Sequence, residues 1–151
     1  MKIETLLLSQ KEVQSLVTMK DVVECADKTF KGMGDETVVN PTKVNLDLGE
    51  VASYPAYEGF MNAMPAYVGW SDTAGIKWAG GFLGARKKQG LPYITSLIML
   101  IDPQLGHFRA VMDGAHITNM RTGAQTAVAL KYMYKKGKDL RLGLYGAGMQ
   151  G

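Results

Sequence analysis

The N-terminal residues of the chain place their apolar side chains at helical spacing. An S-x-x-E pattern at 9–12 is a capping box and predicts a helix that continues to about Val17. A T-x-x-D pattern at 18–21 predicts the start of a second helix, which Gly32 and Gly34 should end. The apolar residues that recur along this second helix are Val22, Val23, Ala26 and Phe30. The chain is therefore expected to begin with two helices.

From Thr37 to Gly114 the period changes to that of β-strands. The segments are rich in β-branched and aromatic residues, and each is bounded by Gly, Pro, Asp or Ser. They are TVVN, KVNLDL, EGFMNAMPAYV, AGIKWAGGF, YITSLIMLID and HFRAVMD. The segment PQLG supplies a turn between the last two, so 94–101 and 107–112 are predicted to form a hairpin. The pattern predicts an α+β fold with two leading helices and a mostly antiparallel sheet.

A third, longer helix is predicted after the sheet, with Thr118 as its N-cap and Gly137 as its stop. Arg121 would then lie in the first turn, where a cation opposes the helix dipole. Two interpretations stay open. Arg121 bends back to a nearby carboxylate, or it shares the anion site of the helix N-terminus and binds a carboxylate or phosphate of a ligand.

Lys77 raises a similar question in the strand segment GIKWAGG. Alternation along a strand puts it opposite Ile76 and Trp78, so the lysine faces away from the core if those two face it. It then points either to water or to a ligand. The glycines around it favour the close approach of a ligand or of another backbone, and they are Gly75, Gly80 and Gly81.

The C-terminal residues combine an apolar run with a glycine-rich loop. Residues 142–145 are predicted to form a strand, and 146–151 then read G-x-G-x-x-G. In a dinucleotide-binding domain the first glycine allows a tight turn, the second lets the backbone reach the pyrophosphate, and the third lets the following helix pack closely. The motif after a strand predicts a dinucleotide site in the full-length protein.

The composition is typical of a globular chain, with 46% hydrophobic and 21% charged residues and a net charge of +3. The basic runs at 86–88 and 131–138 are interpreted as solvated faces, so no nucleic-acid partner is expected. The single cysteine, Cys25, fits a reducing compartment and is interpreted as a small buried residue. With neither a signal-peptide pattern nor an apolar stretch of membrane-spanning length, the protein is expected to be cytoplasmic, without a membrane partner or a metal site.

Five stretches occur in an order that resembles the ornithine cyclodeaminase/mu-crystallin family. They are LLLSQKEVQSLVTMKDVVECADKTF, FMNAMPAY, GIKWAGGF, AVMDGAHITNMRTGAQTAVA and GLYGAGMQG. The resemblance covers essentially the whole chain. It implies that 1–117 form a substrate-binding and dimerisation domain, and that 118–151 form a connecting helix with the first strand and glycine loop of a Rossmann domain. Family members are considerably longer, so the chain resembles an N-terminal half that stops inside the nucleotide loop.

The resemblance also implies roles for single residues. Lys77 matches the family lysine that contacts the substrate carboxylate and takes part in catalysis by proton transfer, and Arg121 matches the arginine that binds the same carboxylate. Lys43 takes the place of a third basic residue, often an arginine, on the substrate side. The residues that match the cofactor side are Thr122, Gly146, Gly148, Met149, Gln150 and Gly151. Asn62 stands where the cyclodeaminase branch has an acidic residue.

These matches imply an oxidoreductase that uses NAD or NADP and acts on the α-carbon of an amino acid or its imine. An imine reductase or an alanine-type dehydrogenase is favoured, because the acidic residue of the cyclodeaminases is replaced by Asn62. Two alternatives stay open: an ornithine cyclodeaminase-type ammonia lyase with bound NAD, and an NADPH-dependent small-ligand-binding protein without turnover. The resemblance implies a homodimer. Activity is expected of the full-length protein and not of residues 1–151 alone.

Overall fold

The computed structural model describes residues 2–49, 57–135, 139–146 and 148–151. The helices in these ranges are α1 (Gln10–Leu16), α2 (Met19–Gly34), α3 (Gly84–Lys88) and α4 (Ala115–Met133). The strands are β1 (Leu6–Leu8), β2 (Val38–Val39), β3 (Val44–Asp47), β4 (Gly59–Val68), β5 (Thr73–Phe82), β6 (Ile94–Ile101) and β7 (Phe108–Asp113). The predicted α+β class is confirmed.

Both N-terminal helices start at the predicted capping boxes. The backbone N–H of Glu12 donates to the Ser9 hydroxyl (3.4 Å), and the backbone N–H of Ser9 donates to the Glu12 carboxylate (2.8 Å). Thr18 and Asp21 form the same reciprocal pair at the start of α2. These bonds satisfy backbone donors that have no partner inside the helix. As predicted, α2 ends at Gly34.

The described strands form one mixed sheet in the order β1-β7-β6-β5-β4-β2, with β3 also paired to β4. All these pairings are antiparallel except the parallel pairing of β1 with β7. The predicted hairpin forms from β6 and β7. Its turn is closed by the Asp102 carboxylate, which accepts hydrogen bonds from the N–H groups of Gln104 (2.9 Å) and Leu105 (2.8 Å). The sheet is therefore mostly antiparallel, as the sequence predicts.

Helix α4 lies against one face of the sheet at β6. The N–H of Gly114 donates to the Ser96 carbonyl (2.9 Å), and the Thr118 hydroxyl donates to the Ser96 hydroxyl (3.4 Å). A β-carbon on Gly114 would collide with the Ser96 hydroxyl, so glycine allows this approach without a movement of the Ser96 side chain. Ser96 is opposite Ala79 on β5, which is opposite Asn62 on β4. These three residues therefore lie on the same face, which we call the covered face.

Small side chains fill the core between the covered face and the helices. The buried hydrophobic residues are Val13, Val22, Ala79, Ala110, Ala124 and Val128. Ala124 is completely inaccessible to solvent. The small residues that the sequence places along α4 therefore allow this helix to pack closely against its neighbours.

The opposite face of the sheet, which we call the open face, carries large apolar side chains that the described helices leave exposed. Trp78 on β5 is 45% exposed, and Leu97 opposite it on β6 is 49% exposed. Val44 on β3 and Leu7 on β1 lie on the same face and are more exposed still. Single exposed apolar residues are normal, but a patch that extends across several strands marks an interaction surface.

Asp27 on α2 connects this helix to α4. Its carboxylate accepts hydrogen bonds from the Lys131 ammonium (2.8 Å) and the Tyr132 hydroxyl (2.5 Å), both on α4. It also accepts one from Lys31, a turn along α2 (3.3 Å). The hydrogen bonds from Lys131 and Tyr132 hold the pKa of Asp27 well below its ordinary value. The folded protein therefore favours the ionised carboxylate.

Helix α4 begins earlier than the sequence predicts. Thr118 was the predicted N-cap, but the helix begins at Ala115 and Gly114 occupies the N-cap position. The Asp113 carboxylate accepts a hydrogen bond from the Ala115 N–H (3.0 Å), so it supplies the polar partner expected of Thr118. Arg121 therefore lies in the second turn, and the prediction that it lies in the first is wrong. The argument from the helix dipole does not apply to it, because that effect is confined to the first turn.

The C-terminal residues also differ from the prediction. Helix α4 ends at Met133, and Gly137, its predicted stop, lies outside the described residues. The predicted strand at 142–145 is not formed in this structure. The backbone of a strand needs a neighbouring strand as its hydrogen-bonding partner, and none of the described strands pairs with this segment.

We predict that Asp27→Asn lowers the midpoint of thermal unfolding, because a neutral amide holds the Lys131 ammonium less strongly than a carboxylate does. Since the folded pKa is depressed, the contribution of Asp27 is complete above the ordinary aspartate pKa of about 4 and is lost as the pH falls through the folded pKa. The difference in Tm between wild type and variant, measured by circular dichroism, should therefore narrow below about pH 4.

Asp35→Asn is the matched control, because Asp35 is an exposed residue at the C-terminal cap of the same helix. This variant should keep the Tm of the wild type. A difference in Tm that is the same at every pH, or an equal loss in the control, would contradict the role of Asp27.

Candidate functional site

Lys77 lies in the middle of β5, opposite Met64 on β4 and Ile98 on β6. It is two residues from Ala79 along the strand, so it belongs to the covered face. The sequence left open which face of this strand is buried. The structure places Trp78 on the open face and leaves Lys77 half-buried on the side of the helices.

Burial, and to a smaller extent the positive charge of Arg121, lower the pKa of Lys77 to about 8. The ordinary value is 10.5. The amine can therefore take up or release a proton close to neutral pH, as a proton-transfer group must. None of the ion pairs formed by the described residues includes Lys77. A half-buried ammonium without a protein carboxylate is suited to a carboxylate that comes from a ligand.

Arg121 lies on α4 at a groove of about 460 Å³ between this helix and α2. The groove is mostly apolar, with Asp21 and Gln125 among its polar residues. The sequence left open whether Arg121 pairs with a protein carboxylate, and in the described part of the chain it forms no such ion pair. Its charge reaches Lys77 and lowers the pKa of that amine. The two predicted site residues are therefore within range of an electrostatic interaction, although Lys77 does not line the groove at Arg121.

Lys43, the third predicted basic residue, lies directly before β3 and is exposed. It lines a groove of about 480 Å³, together with Asn45 and Asn62. Asn45 and Asn62 are opposite each other on β3 and β4, so this groove opens on the covered face. The residues that line this groove include neither Lys77 nor Arg121. Lysine also lacks the planar fork with which arginine grips a carboxylate.

Asn62 is a further candidate site residue, which the sequence presents only as a departure from the cyclodeaminase branch. Its side chain is 8% exposed, and its Oδ1 has no hydrogen-bond partner among the described residues. Since Asn62 is opposite Ala79, it lies diagonally from Lys77 with a Cα separation of about 7–8 Å. The sequence contained a signal for it. Asn62 is a polar residue inside the apolar strand GFMNAMPAYV, and it is two residues from Met64, so the two side chains lie on the same face.

The glycine loop predicted to bind the cofactor passes close to α4. Gly146 has a φ of 81°, which side chains other than glycine rarely adopt. The N–H of Gly151 donates to the Gly148 carbonyl (3.1 Å), which closes a turn. A β-carbon on Gly123 of α4 would lie 3.4 Å from the Gln150 carbonyl oxygen. The loop therefore lies beside the helix that carries Arg121.

The individual cofactor-side residues differ in how well they fit a nucleotide. No described atom lies within 4 Å of a β-carbon added to Gly148, so the backbone there is open to a pyrophosphate. Met149 is exposed. The Thr122 hydroxyl donates to the Thr118 carbonyl (2.8 Å) and would have to turn to donate to a phosphate. The open backbone at Gly148 leaves room for a pyrophosphate, whereas the Thr122 hydroxyl is engaged within the helix and would have to turn first.

The glycines around Lys77 serve the packing of the protein. A β-carbon on Gly75, Gly80 or Gly81 would collide with a neighbouring part of the chain, namely the carbonyl groups of Met99 and Phe60 and the ring of Tyr93. They therefore allow neighbouring strands and side chains to approach closely. Of the two interpretations in the sequence, close approach by the protein itself explains them, and they give no separate support for a ligand.

Cys25 is exposed on α2, so the prediction that it is buried is wrong. It lines the groove between α2 and α4, which the described side chains leave unfilled. No helix in the described ranges is long and apolar enough to cross a membrane. Within the same ranges, no group of three or more His, Cys, Asp or Glu side chains is placed to hold a metal ion.

Comparison with known proteins finds a family match over residues 3–151. The chain belongs to the ornithine cyclodeaminase/mu-crystallin family. The resemblance drawn from the five sequence stretches is therefore confirmed. The match includes β5 with Lys77, α4 with Arg121 and the glycine loop.

Related proteins of this family include dehydrogenases and reductases. An alanine dehydrogenase of Archaeoglobus fulgidus is 34% identical over 147 residues, which cover 97% of this chain and 42% of that protein. A solved archaeal alanine dehydrogenase dimer with bound NAD has a TM-score of 0.78 and 33% identity, over 89% of this chain and 39% of its own. The Thermococcus litoralis Δ1-pyrroline-2-carboxylate reductase, solved with NADH and L-proline, has a TM-score of 0.76 and 32% identity, over 85% of this chain and 38% of its own. The chain spans about two fifths of the length of these relatives.

We predict that Arg121→Met raises the pKa of Lys77, because the substitution removes the neighbouring positive charge. The pKa should stay below 10.5, since burial is the larger cause of the shift and remains. The measurement is an NMR titration of the Lys77 amine in protein with labelled lysine side chains. Arg141→Met removes a charge from the exposed C-terminal segment and should leave the titration unchanged. An unchanged pKa in Arg121→Met would mean that the two cations do not interact.

Proposed function

We propose that the full-length protein is an NAD(P)-dependent oxidoreductase acting on the α-carbon of an amino acid or of the corresponding imine. The observation that carries this proposal is the pair of cations Lys77 and Arg121, which lie close together and form no ion pair with a described carboxylate. The family membership and the relatives named as an alanine dehydrogenase and a pyrroline-carboxylate reductase support it.

In this proposal Lys77 and Arg121 hold the substrate carboxylate. Hydrogen bonds between charged partners are the strongest that a protein offers, and arginine can grip a carboxylate with two parallel N–H donors. Holding the carboxylate fixes the position of the α-carbon next to it. The two positive charges also lower the pKa of a nearby substrate amine, which favours the neutral amine needed for oxidation.

Lys77 has a second role in the proposal, which is to hold or move a proton at Nζ. A pKa of about 8 leaves both protonation states populated near neutral pH. The charged form binds the carboxylate, and it is the form that predominates below the pKa. Substrate affinity should therefore fall as the pH rises through about 8, because the ammonium loses its charge.

The cofactor would bind at the glycine loop beside α4. Gly146, Gly148 and Gly151, with the backbone of Met149 and Gln150, would hold the pyrophosphate, and Thr122 would donate a hydrogen bond from the helix. A nicotinamide supplies or accepts the hydride when it is bound. This division assigns substrate binding and dimerisation to 1–117, and the approach to the nucleotide to 118–151. The cofactor in this proposal is either NAD or NADP.

We propose that the protein is a homodimer and that the open face forms the interface. Trp78, Leu97, Val44 and Leu7 lie on this face and are about half exposed or more. A second copy of the chain would present the same apolar face, as a two-fold interface requires. The relative described as an alanine dehydrogenase dimer supports a dimer.

The proposed function is tested with the full-length protein and a panel of substrates. Reduced cofactor is mixed with cyclic imines, or with 2-oxo acids and ammonium, and the absorbance of the reduced nicotinamide is followed. We expect it to fall in the presence of at least one of these substrates. Release of ammonia from ornithine with no net change in the cofactor would instead identify a cyclodeaminase. Tight cofactor binding with no turnover of any substrate would identify a binding protein.

We predict that Lys77→Ala and Arg121→Ala each reduce kcat/KM by roughly a hundredfold or more, because each removes one partner of a charge-assisted contact with the substrate. Steady-state kinetics with the best substrate of the panel provide the measurement. Lys87→Ala is the control: it removes the same charge from α3, where the side chain is exposed. A value within twofold of wild type for either site variant would exclude that residue from substrate binding.

We predict that Trp78→Glu converts the dimer into a monomer, because it places a charge in the apolar open face. Size-exclusion chromatography with light scattering gives the molar mass of the assembly. Leu105→Glu introduces the same charge at an exposed apolar residue in the β6–β7 turn and should leave the dimer intact. A Trp78→Glu protein that remains dimeric would place the interface elsewhere.

A further inference from the structure

Asn62 is a buried polar residue whose side-chain oxygen has no hydrogen-bond donor among the described residues. Its side chain is 8% exposed, and its Oδ1 accepts no hydrogen bond from any described residue. A buried acceptor without a donor costs stability, and most such atoms in native proteins have a partner. Asn45, which lies opposite on β3, forms no hydrogen bond with it. The fold therefore keeps an acceptor on the covered face that its own residues do not use.

The position of Asn62 suggests where a donor would come from. Asn62 lines the groove of about 480 Å³ on the covered face. Lys77 lies on the same face, on the adjacent strand and two residues along, at a diagonal Cα separation of about 7–8 Å. A small amino acid can extend across a distance of this order. A molecule whose carboxylate is bound by Lys77 is thus long enough to reach Asn62 with another polar group if it extends toward β4.

We propose that the Oδ1 of Asn62 accepts a hydrogen bond from an N–H or O–H group of the bound amino acid or imine and thereby contributes to substrate specificity. The inference rests on the proposed function, because it takes the carboxylate site at Lys77 and Arg121 as given. The donor is either the α-nitrogen, which every amino acid carries, or a hydroxyl or amine on the side chain.

The neutral amide determines which chemistry this position favours. Oδ1 can only accept, and the Nδ2 of the same amide donates, so a carbonyl or carboxylate on the substrate gains a partner here only if the amide turns over. An alkyl side chain would leave the oxygen buried and still without a donor. A site built to hydrogen-bond a substrate group discriminates strongly against an analogue that lacks the group. Asn62 therefore favours a substrate with a donor at this point over one without it.

The test compares Asn62→Ala with wild type, as full-length protein with its nicotinamide cofactor. The probes are L-alanine and L-serine, which differ by one hydroxyl. A loss of roughly tenfold in kcat/KM for both probes would identify the α-nitrogen as the donor. The same loss for L-serine alone would identify the side chain. An enzyme that turns over either probe and is unaffected by Asn62→Ala would overturn the proposal.

Thermal unfolding separates this role from a structural one. Because Oδ1 makes no hydrogen bond within the protein, Asn62→Ala should keep or raise the Tm. A lower Tm together with unchanged kinetics would mean that Asn62 serves the fold. Asn62→Ser, which keeps an oxygen acceptor, should retain part of the activity and replaces the alanine variant if that variant fails to fold. Asn40→Ala is the control, an exposed asparagine between β2 and β3.

A second readout makes the outcome independent of turnover. If the wild type turns over neither probe, both are titrated against the complex of the protein with NADH, and the cofactor fluorescence is followed. Weaker binding to Asn62→Ala than to wild type would support the inference even though the proposed reaction had failed. Equal binding to the two proteins, or binding to neither, would overturn it.

Discussion

Helix α4 reaches the sheet because residue 114 has no side chain, since a β-carbon there would collide with the side chain of Ser96. This contact helps to set the position of the helix over β6. Two turns further along, Arg121 comes close enough to Lys77 for its charge to affect the lysine pKa. A larger residue at position 114 would require either the Ser96 side chain or the helix to move. The geometry of the candidate site therefore depends on a contact that includes neither of its charged residues.

Two basic residues of α4 differ in whether they form an ion pair within the protein. Near its C-terminal end, Lys131 is bound to Asp27, and this ion pair connects α4 to α2. Closer to its N-terminal end, Arg121 forms no ion pair with a described carboxylate. The paired cation stabilises the packing of the helices. Lys77 is half-buried and Arg121 is exposed, and neither forms an ion pair with a described carboxylate, so both remain available for an anion that is not part of the protein.

The parts of the fold that the sequence predicts well depend on local interactions. The capping boxes at Ser9 and Thr18 and the β6–β7 hairpin involve residues near one another in the chain, and they form as predicted. The parts that it predicts poorly depend on distant contacts. Alternation along β5 shows that Lys77 and Trp78 face opposite ways, but only the position of α4 decides which face is covered. The start of α4 was missed because the Asp113 carboxylate, and not the hydroxyl of Thr118, satisfies the first turn.

The same distinction explains why Lys77 and Arg121 could be proposed from the sequence while Asn62 could not. A charged residue among apolar neighbours stands out in the chain, whereas an asparagine in a strand is usually satisfied by a neighbouring strand or by water. Only the structure reveals that its Oδ1 is buried and has no partner among the described residues. Charged contacts with a carboxylate are common to all amino acids and cannot distinguish one from another. Discrimination between amino acids must come from contacts with the rest of the substrate, where an unpaired acceptor such as the Oδ1 of Asn62 favours a substrate that brings a donor.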